Sequence, residues 1–429
     1  KTILKFVMEM EKKNYTLPII VMFFLFAMIS FVTGFQNPFG VILKEQLSLS
    51  VFESQLGNAA NFIAYAFMGL PAGMILQSKG YKFSAIAAVL VGLVGVVLMF
   101  VSSLLNPEMI FAVYLCGAFV AGFSMCMLNT VVNPMLNTLG GGGKKGNQLI
   151  QFGGATNSLA ATICPVLVGY LMGDNLKDCT LVDAHKALYI AMGIFVLAFI
   201  VLLLSKLPEP ILEAKEQGEK VSLGGVFKFS HYIGGIVAIF LYVGIEVGIP
   251  NMANLYMTND LGMNAAIAGS LIGMYWFLML IGRLVGGVLG AKISSRVMLT
   301  TVALVAILFL IIAIMMPADV KVSVPGVSST LSFEMVEAPI SVLFFILCGL
   351  CTSVMWGGIF NLAVEGLGKY TAVASGFFMV MVCGGGILPL VQGAVADATN
   401  YISSYWVPVV ALGYLLFYAL VGSRVSKKA

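Results

Sequence analysis

The chain has 429 residues, 60% apolar and only 10% charged, with a formal net charge of +4. A soluble domain carries about a quarter charged residues, so the polar surface that two or three soluble domains would need is missing. The basic residues are split among short loops rather than gathered in one patch, which excludes a nucleic-acid-binding reading.

The apolar residues fall in runs long enough to cross a bilayer, which takes about 20 residues per helix. Backbone groups inside hydrocarbon must pair within the protein, so spanning segments are helices or closed barrels. Barrel strands would alternate over about ten residues. Continuous runs instead predict an all-α membrane protein with twelve spans, at roughly 17–43, 54–78, 84–104, 108–138, 147–172, 187–205, 231–257, 265–290, 297–316, 339–364, 371–396 and 404–422. The first run reads as a span rather than a cleaved signal peptide, because it is long and carries Thr33, Gln36 and Asn37. Six of the seven cysteines lie within spans and Cys179 stands alone in a loop, so no disulfide framework is expected.

Loop charge predicts orientation. Of the 23 Lys and Arg residues, eighteen fall at the termini and in loops on their side, four fall in the opposite loops, and Arg283 lies within a span. The positive-inside rule then places both termini in the cytoplasm, in a multi-pass protein of the cytoplasmic (inner) membrane.

The longest connection on that side, 206–228, contains KLPEPILEAKEQGEK and divides the spans six and six. It suggests a six-helix bundle over 1–205, a linker over 206–228 and a second bundle over 229–429. The halves echo each other. Gly69, Gly73 and Lys79 match Gly282, Gly286 and Lys292 at a constant offset. Leu128-x4-Asn133-x5-Leu139-Gly140 matches Trp356-x4-Asn361-x5-Leu367-Gly368, and Pro165-x3-Gly169 echoes Pro389-x3-Gly393. Two pseudo-symmetric six-helix bundles are the architecture of the major facilitator fold.

Local motifs add a family resemblance over nearly the whole chain. The segments GLPAGMILQSKGYK (69–82), NTVVNP (129–134), TNSLAATICP (156–165), FLYVGIEV (240–247), IGRLVGG (281–287), GIFNLAVEGLGKYT (358–371) and GGGILPLVQGAVAD (384–397) resemble the major facilitator sugar permeases related to fucose permease and the glucose/galactose transporters. The resemblance implies import of a hexose-like monosaccharide by alternating access, driven by a proton or sodium gradient. In fucose permease, first- and fourth-helix carboxylates are tied to proton coupling and sugar binding. Asn37 and Asn129 stand at the matching positions here, and an amide cannot release a proton.

A polar side chain in the bilayer needs a partner or a wet cavity. Gln36, Asn37, Asn129, Asn133, Gln151, Thr156 and Asn157 supply amides and a hydroxyl on the first, fourth and fifth spans, with the donors and acceptors that vicinal hydroxyls require. The alternative for each is a hydrogen bond between helices. Glu246 is the one carboxylate near the middle of a span, with no other charge between Lys228 and Asp260. It reads as a cation-coupling group, a sugar ligand or a structural carboxyl. Arg283 and Glu365 read as a gating or structural ion pair. Tyr242, Tyr275, Trp276 and Trp356, with Asn361, complete the expected sugar-binding set, since pyranose C–H faces pack on aromatic rings. For each ring, core packing is the alternative.

No nucleophilic triad, metal cluster or dinucleotide fingerprint is visible, and no cofactor is expected beyond a co-transported proton or sodium ion. GGGGKKGN (140–147) follows an apolar span rather than a strand and lacks the GK[ST] order of a phosphate loop. His185 and His231 flank spans and do not suggest a shared metal. The chain therefore reads as a monomeric sugar transporter, probed against a uniporter, an exporter of another small amphipathic solute and a non-transporting sensor. Its partners would be the sugar and the lipid bilayer.

Overall fold

The computed structural model describes residues 15–49, 51–172, 180–210, 212, 223–263, 265–327 and 333–425. Its helices are α1 (Thr16–Leu47), α2 (Val51–Ser102), α3 (Pro107–Leu139), α4 (Gly143–Met172), α5 (His185–Leu204), α6 (Ser230–Leu255), α7 (Ala265–Gly290), α8 (Ser295–Met315), α9 (Ile340–Thr352), α10 (Met355–Val364), α11 (Thr371–Val380), α12 (Gly384–Ala398) and α13 (Trp406–Phe417). Nine apolar stretches among the described residues are long enough to cross a membrane. One of them, 59–102, has 44 residues, twice what one crossing needs. Counting it twice and adding α1 and α4 gives the twelve spans.

The two crossings within α2 meet at Gly80, whose φ of 82° and ψ of −177° break the helix. An L side chain resists that φ. Glu209 fills the space a Cβ would need. Its carboxylate accepts the backbone N–H groups of Tyr81 and Lys82 at 2.7 Å each. These are donors that a new helix start leaves unpaired, beside the positive end of its dipole. Lys82 Nζ in turn donates to Leu203 O at 2.9 Å and Ser205 O at 2.8 Å, carbonyls at the end of α5. The beginning of the linker is thus fastened to the start of one helix and, through Lys82, to the end of another. Glu209→Ala is expected to cost about 1–2 kcal/mol, read as a lower thermal midpoint of the purified protein. Glu209→Gln, which keeps one acceptor oxygen, should lose less; equal midpoints for all three proteins would refute the capping role.

Prolines inside helices leave a carbonyl without its N–H donor four residues earlier, and here other helices supply it. Pro134 of α3 frees Thr130 O, which accepts from Ser375 Oγ at 3.2 Å. Pro250 of α6 frees Glu246 O, which accepts from Tyr275 Oη at 3.3 Å.

The chain forms two compact units, 1–225 with 367–379 and 226–366 with 380–429. The placement of 367–379 differs from the contiguous second bundle the sequence suggests. Its physical basis is close approach: Gly376 Cα lies 2.9 Å from where a Cβ of Gly73 would stand, so only two glycines allow these backbones to touch.

The loop expected between 316 and 339 contains an antiparallel hairpin, β1 (Lys321–Val327) and β2 (Phe333–Pro339). Val324, Gly326 and Ala338 face inward while Lys321, Ser323, Pro325 and Met335 are exposed, the period of two that a strand imposes. The tenth span is also not continuous. Its helix stops at Thr352 and restarts at Met355.

Candidate functional site

In the second unit, Glu246 lies 16 residues into α6, about 24 Å along its axis. Arg283 lies seven residues before the end of α7, about 10 Å from it. The two helices are consecutive and antiparallel, and side chains lean toward the N-terminus of their own helix. Glu246 and Arg283 therefore lean toward each other. Arg283 Nη2 meets Glu246 Oε1 at 3.2 Å, with the side chains 10% and 15% exposed respectively.

A second acceptor comes from the break between α9 and α10, where Ser353 O accepts from Arg283 Nε at 3.4 Å. The break can come this close because α7 presents glycines on either side of Arg283. A Cβ at Gly282 would strike the Ser353 side chain and stand 3.1 Å from Leu350 O, and one at Gly286 would strike Val354. The IGRLVGG motif is thus a groove that seats the broken helix beside the arginine.

Tyr275, 1% exposed, holds the other side of this assembly. Its hydroxyl donates to the Glu246 carbonyl and shares a 3.0 Å hydrogen bond with Thr352 Oγ1 at the end of α9. Its ring meets Trp276 edge-on, with centroids 5.2 Å apart. Tyr242, one turn before Glu246, is fully buried and packs edge-on to Trp356 at 6.3 Å. Its hydroxyl lies near Glu246 without a well-formed hydrogen bond. Trp276 and Trp356 are half-buried. Charge, hydroxyls and aromatic rings are thus gathered on α6, α7, α9 and α10 of the second unit.

One expectation needs correction. Arg283 pairs with Glu246 and not with Glu365, because α10 ends at Val364 and leaves Glu365 exposed beyond it. The Glu365 carbonyl instead bonds His231 Nε2 at 2.9 Å. Asn361 donates its amide to Ser295 Oγ at 2.8 Å, at the start of α8.

In the first unit the amides are drawn into helix contacts. Asn129 Nδ2 donates to Tyr65 Oη at 2.8 Å, and Asn133, fully buried, donates to Asn129 O at 2.9 Å. Thr156 Oγ1 and Asn157 Nδ2 donate to Phe23 O and Phe26 O of α1, each at 2.9 Å. Gln151 is buried with Nε2 3.5 Å from Asn147 Oδ1. Asn129 remains 7% exposed and Asn157 half-buried. The side chains of Gln36 and Asn37 lie outside the described residues. Among the described residues, no group of three or more His, Cys, Asp and Glu could hold a metal.

Sequence reasoning missed Thr352 and Ser353 as site components. Pro250 signals only that the Glu246 carbonyl needs an outside donor, which Tyr275 supplies; it does not point to Thr352 or Ser353.

A family model described as the Major Facilitator Superfamily matches residues 22–389. The chain belongs to the Major Facilitator Superfamily. This superfamily member is 27% identical over 425 residues to a protein of Brucella abortus named glucose/galactose transporter, covering 96% of each chain. It is 21% identical to the L-fucose-proton symporter of Escherichia coli, covering 97% of this chain and 95% of that one. A crystal structure of the E. coli fucose:proton symporter superposes with a TM-score of 0.79 at 20% identity, covering 96% of this chain and all of that one, a likeness of fold. These findings make the chain a multi-pass membrane transporter and not an enzyme.

Proposed function

We propose that this transporter imports a hexose-like monosaccharide by alternating access, coupled to proton entry. The observation that carries the reading is the mid-span Glu246–Arg283 pair, set among Tyr242, Tyr275, Trp276 and Trp356. The names of its relatives, glucose/galactose transporter and L-fucose-proton symporter, support the sugar class and the proton. In this reading the half-buried indoles of Trp276 and Trp356 pack on the sugar ring. Glu246 carries the coupled proton, since an intramembrane carboxylate is costly to keep without use and the amides at 37 and 129 cannot take that role. Excess Lys and Arg at the termini and in their loops orients both termini toward the cytoplasm.

The test is uptake of labelled glucose, galactose and fucose by the purified protein in liposomes, under an inward proton gradient, an inward sodium gradient or neither. Accumulation of at least one sugar above equilibrium under the proton gradient, collapsed by a protonophore, is the expected result. Equilibration at the same rate in all three conditions would make the protein a uniporter. Accumulation driven only by sodium would replace the proton, and failure with every monosaccharide would overturn the substrate class.

A further inference from the structure

Two tyrosines brace α6 where Pro250 interrupts its hydrogen-bond ladder, and they do so differently. Tyr405, just before α13 and fully buried, donates to Ile249 O at 2.9 Å. Its ring stacks on Phe345 of α9 with centroids 3.8 Å apart. Ile249 O is its hydroxyl's one acceptor among the described residues. Tyr275 of α7 has two oxygens within reach instead. One is Glu246 O, freed by Pro250, at 3.3 Å, and the other is Thr352 Oγ1 at 3.0 Å. A hydroxyl carries one proton, so Tyr275 serves these oxygens one at a time. The 3.3 Å contact is longer than the about 2.5–3.0 Å usual for a hydroxyl donor, so Glu246 O holds that proton loosely.

Thr352 makes the sharing work. It is fully buried, and its own hydroxyl lies 3.1 Å from Cys348 O and 3.2 Å from Gly349 O in the last turn of α9. Neither carbonyl depends on it. Gly349 O also accepts from Ser353 N at 3.2 Å, and Cys348 O stands four residues before the Thr352 N–H in the ladder of α9. Thr352 can therefore turn its proton to Tyr275 Oη or back to its own helix at little cost. In the first case the tyrosine proton is directed onto Glu246 O, and the bend of α6 is braced by both tyrosines. In the second, Thr352 Oγ1 accepts from Tyr275 and Glu246 O is released, while Tyr405 still holds Ile249 O. Only hydroxyl protons rotate in this exchange. The tyrosine itself is held close to α9, because a Cβ at Gly349 would strike Tyr275 O.

We propose that Thr352 is a positioning residue for transport, the release seat of the tyrosine that braces the Pro250 bend. The proposal rests on the reading of this chain as an alternating-access carrier, and no charged group takes part in it. Alternating access requires the helices of the site to adopt two arrangements. An unpaired hydroxyl inside the membrane is costly. A brace with two acceptors lets α6 change its bend without stranding the Tyr275 proton.

The experiment measures sugar exchange at zero gradient in proteoliposomes, and the thermal midpoint of the purified protein, for wild type, Thr352→Val, Thr352→Ser, Tyr275→Phe and the Tyr275→Phe/Thr352→Val double variant. Thr352→Val keeps the shape of threonine but commits Tyr275 to Glu246 O. Its maximal exchange rate should fall roughly fivefold, the rate equivalent of one hydrogen bond. Its half-saturating sugar concentration should not change, and it should melt no lower than wild type. Thr352→Ser, which keeps the hydroxyl, should restore the rate. Tyr275→Phe removes the brace and should lower the midpoint. Adding Thr352→Val to it should change neither rate nor midpoint further, since no proton is left to share. A Thr352→Val protein that exchanges as fast as wild type overturns the proposal. So does one that melts lower and loses as much rate again in the Tyr275→Phe background, which makes Thr352 a packing residue. A raised half-saturating concentration would make it a sugar ligand and overturns the proposal equally. Failure of the sugar reading is separate: wild type would then exchange none of the monosaccharides, while the midpoints of Tyr275→Phe and Thr352→Val would still test the brace.

Discussion

Glu246→Gln is expected to abolish proton-driven sugar accumulation while exchange across the membrane remains measurable. Coupling requires that sugar and proton favour the same loaded state, so each raises the other's affinity. Glutamine keeps the size and one acceptor oxygen of glutamate but has no site for the coupled proton. The backbone of the site should survive, because the Glu246 carbonyl stays bonded to Tyr275 Oη and Arg283 stays bonded to Ser353 O. Wild type under a tenfold proton gradient has about 1.4 kcal/mol per proton available, enough for roughly tenfold accumulation. The variant should reach only equal concentrations on both sides. If it concentrates sugar as well as wild type, Glu246 is structural and the coupling group lies elsewhere.

Gly282→Val is expected to destabilise the protein by about 1–3 kcal/mol, the usual cost of forcing extra carbons into a packed interior. The added atoms would meet Ser353 and Leu350 at the break before α10. Helix association in a membrane depends on this kind of close approach, and the displaced segment carries the second acceptor of Arg283. Loss of transport should therefore accompany the loss of thermal stability in detergent. Gly273→Ala on the same helix is the control, since a Cβ there has nothing within 4 Å. A Gly282→Val protein that melts with wild type and the control would show that the broken helix does not depend on this groove.

The linear sequence was sufficient for the membrane class, the twelve spans and the mid-span carboxylate. Hydrophobicity and helix length are properties of consecutive residues, and a bilayer converts them directly into spans. Glu246 was legible for the same reason, as a charge isolated in an apolar run. What the sequence could not supply was the partner of each polar group. Helical periodicity places a residue on a face and at a depth of its own helix, but not the rotation of that helix against its neighbours. Arg283 is 37 residues from Glu246 on the next helix, and the sequence paired it by apparent depth with Glu365. Only the glycine groove of α7 and the lean of both side chains toward each other decide otherwise. The amides followed the same rule. Asn133 and Asn361 occupy matching positions in the two halves, yet Asn133 bonds within α3 and Asn361 bonds Ser295. The break at Ser353 was hidden because no proline or glycine marks it. It is stabilised from outside the segment, by Gly282, Gly286 and Arg283 of α7, and such support exists only once the helices are packed.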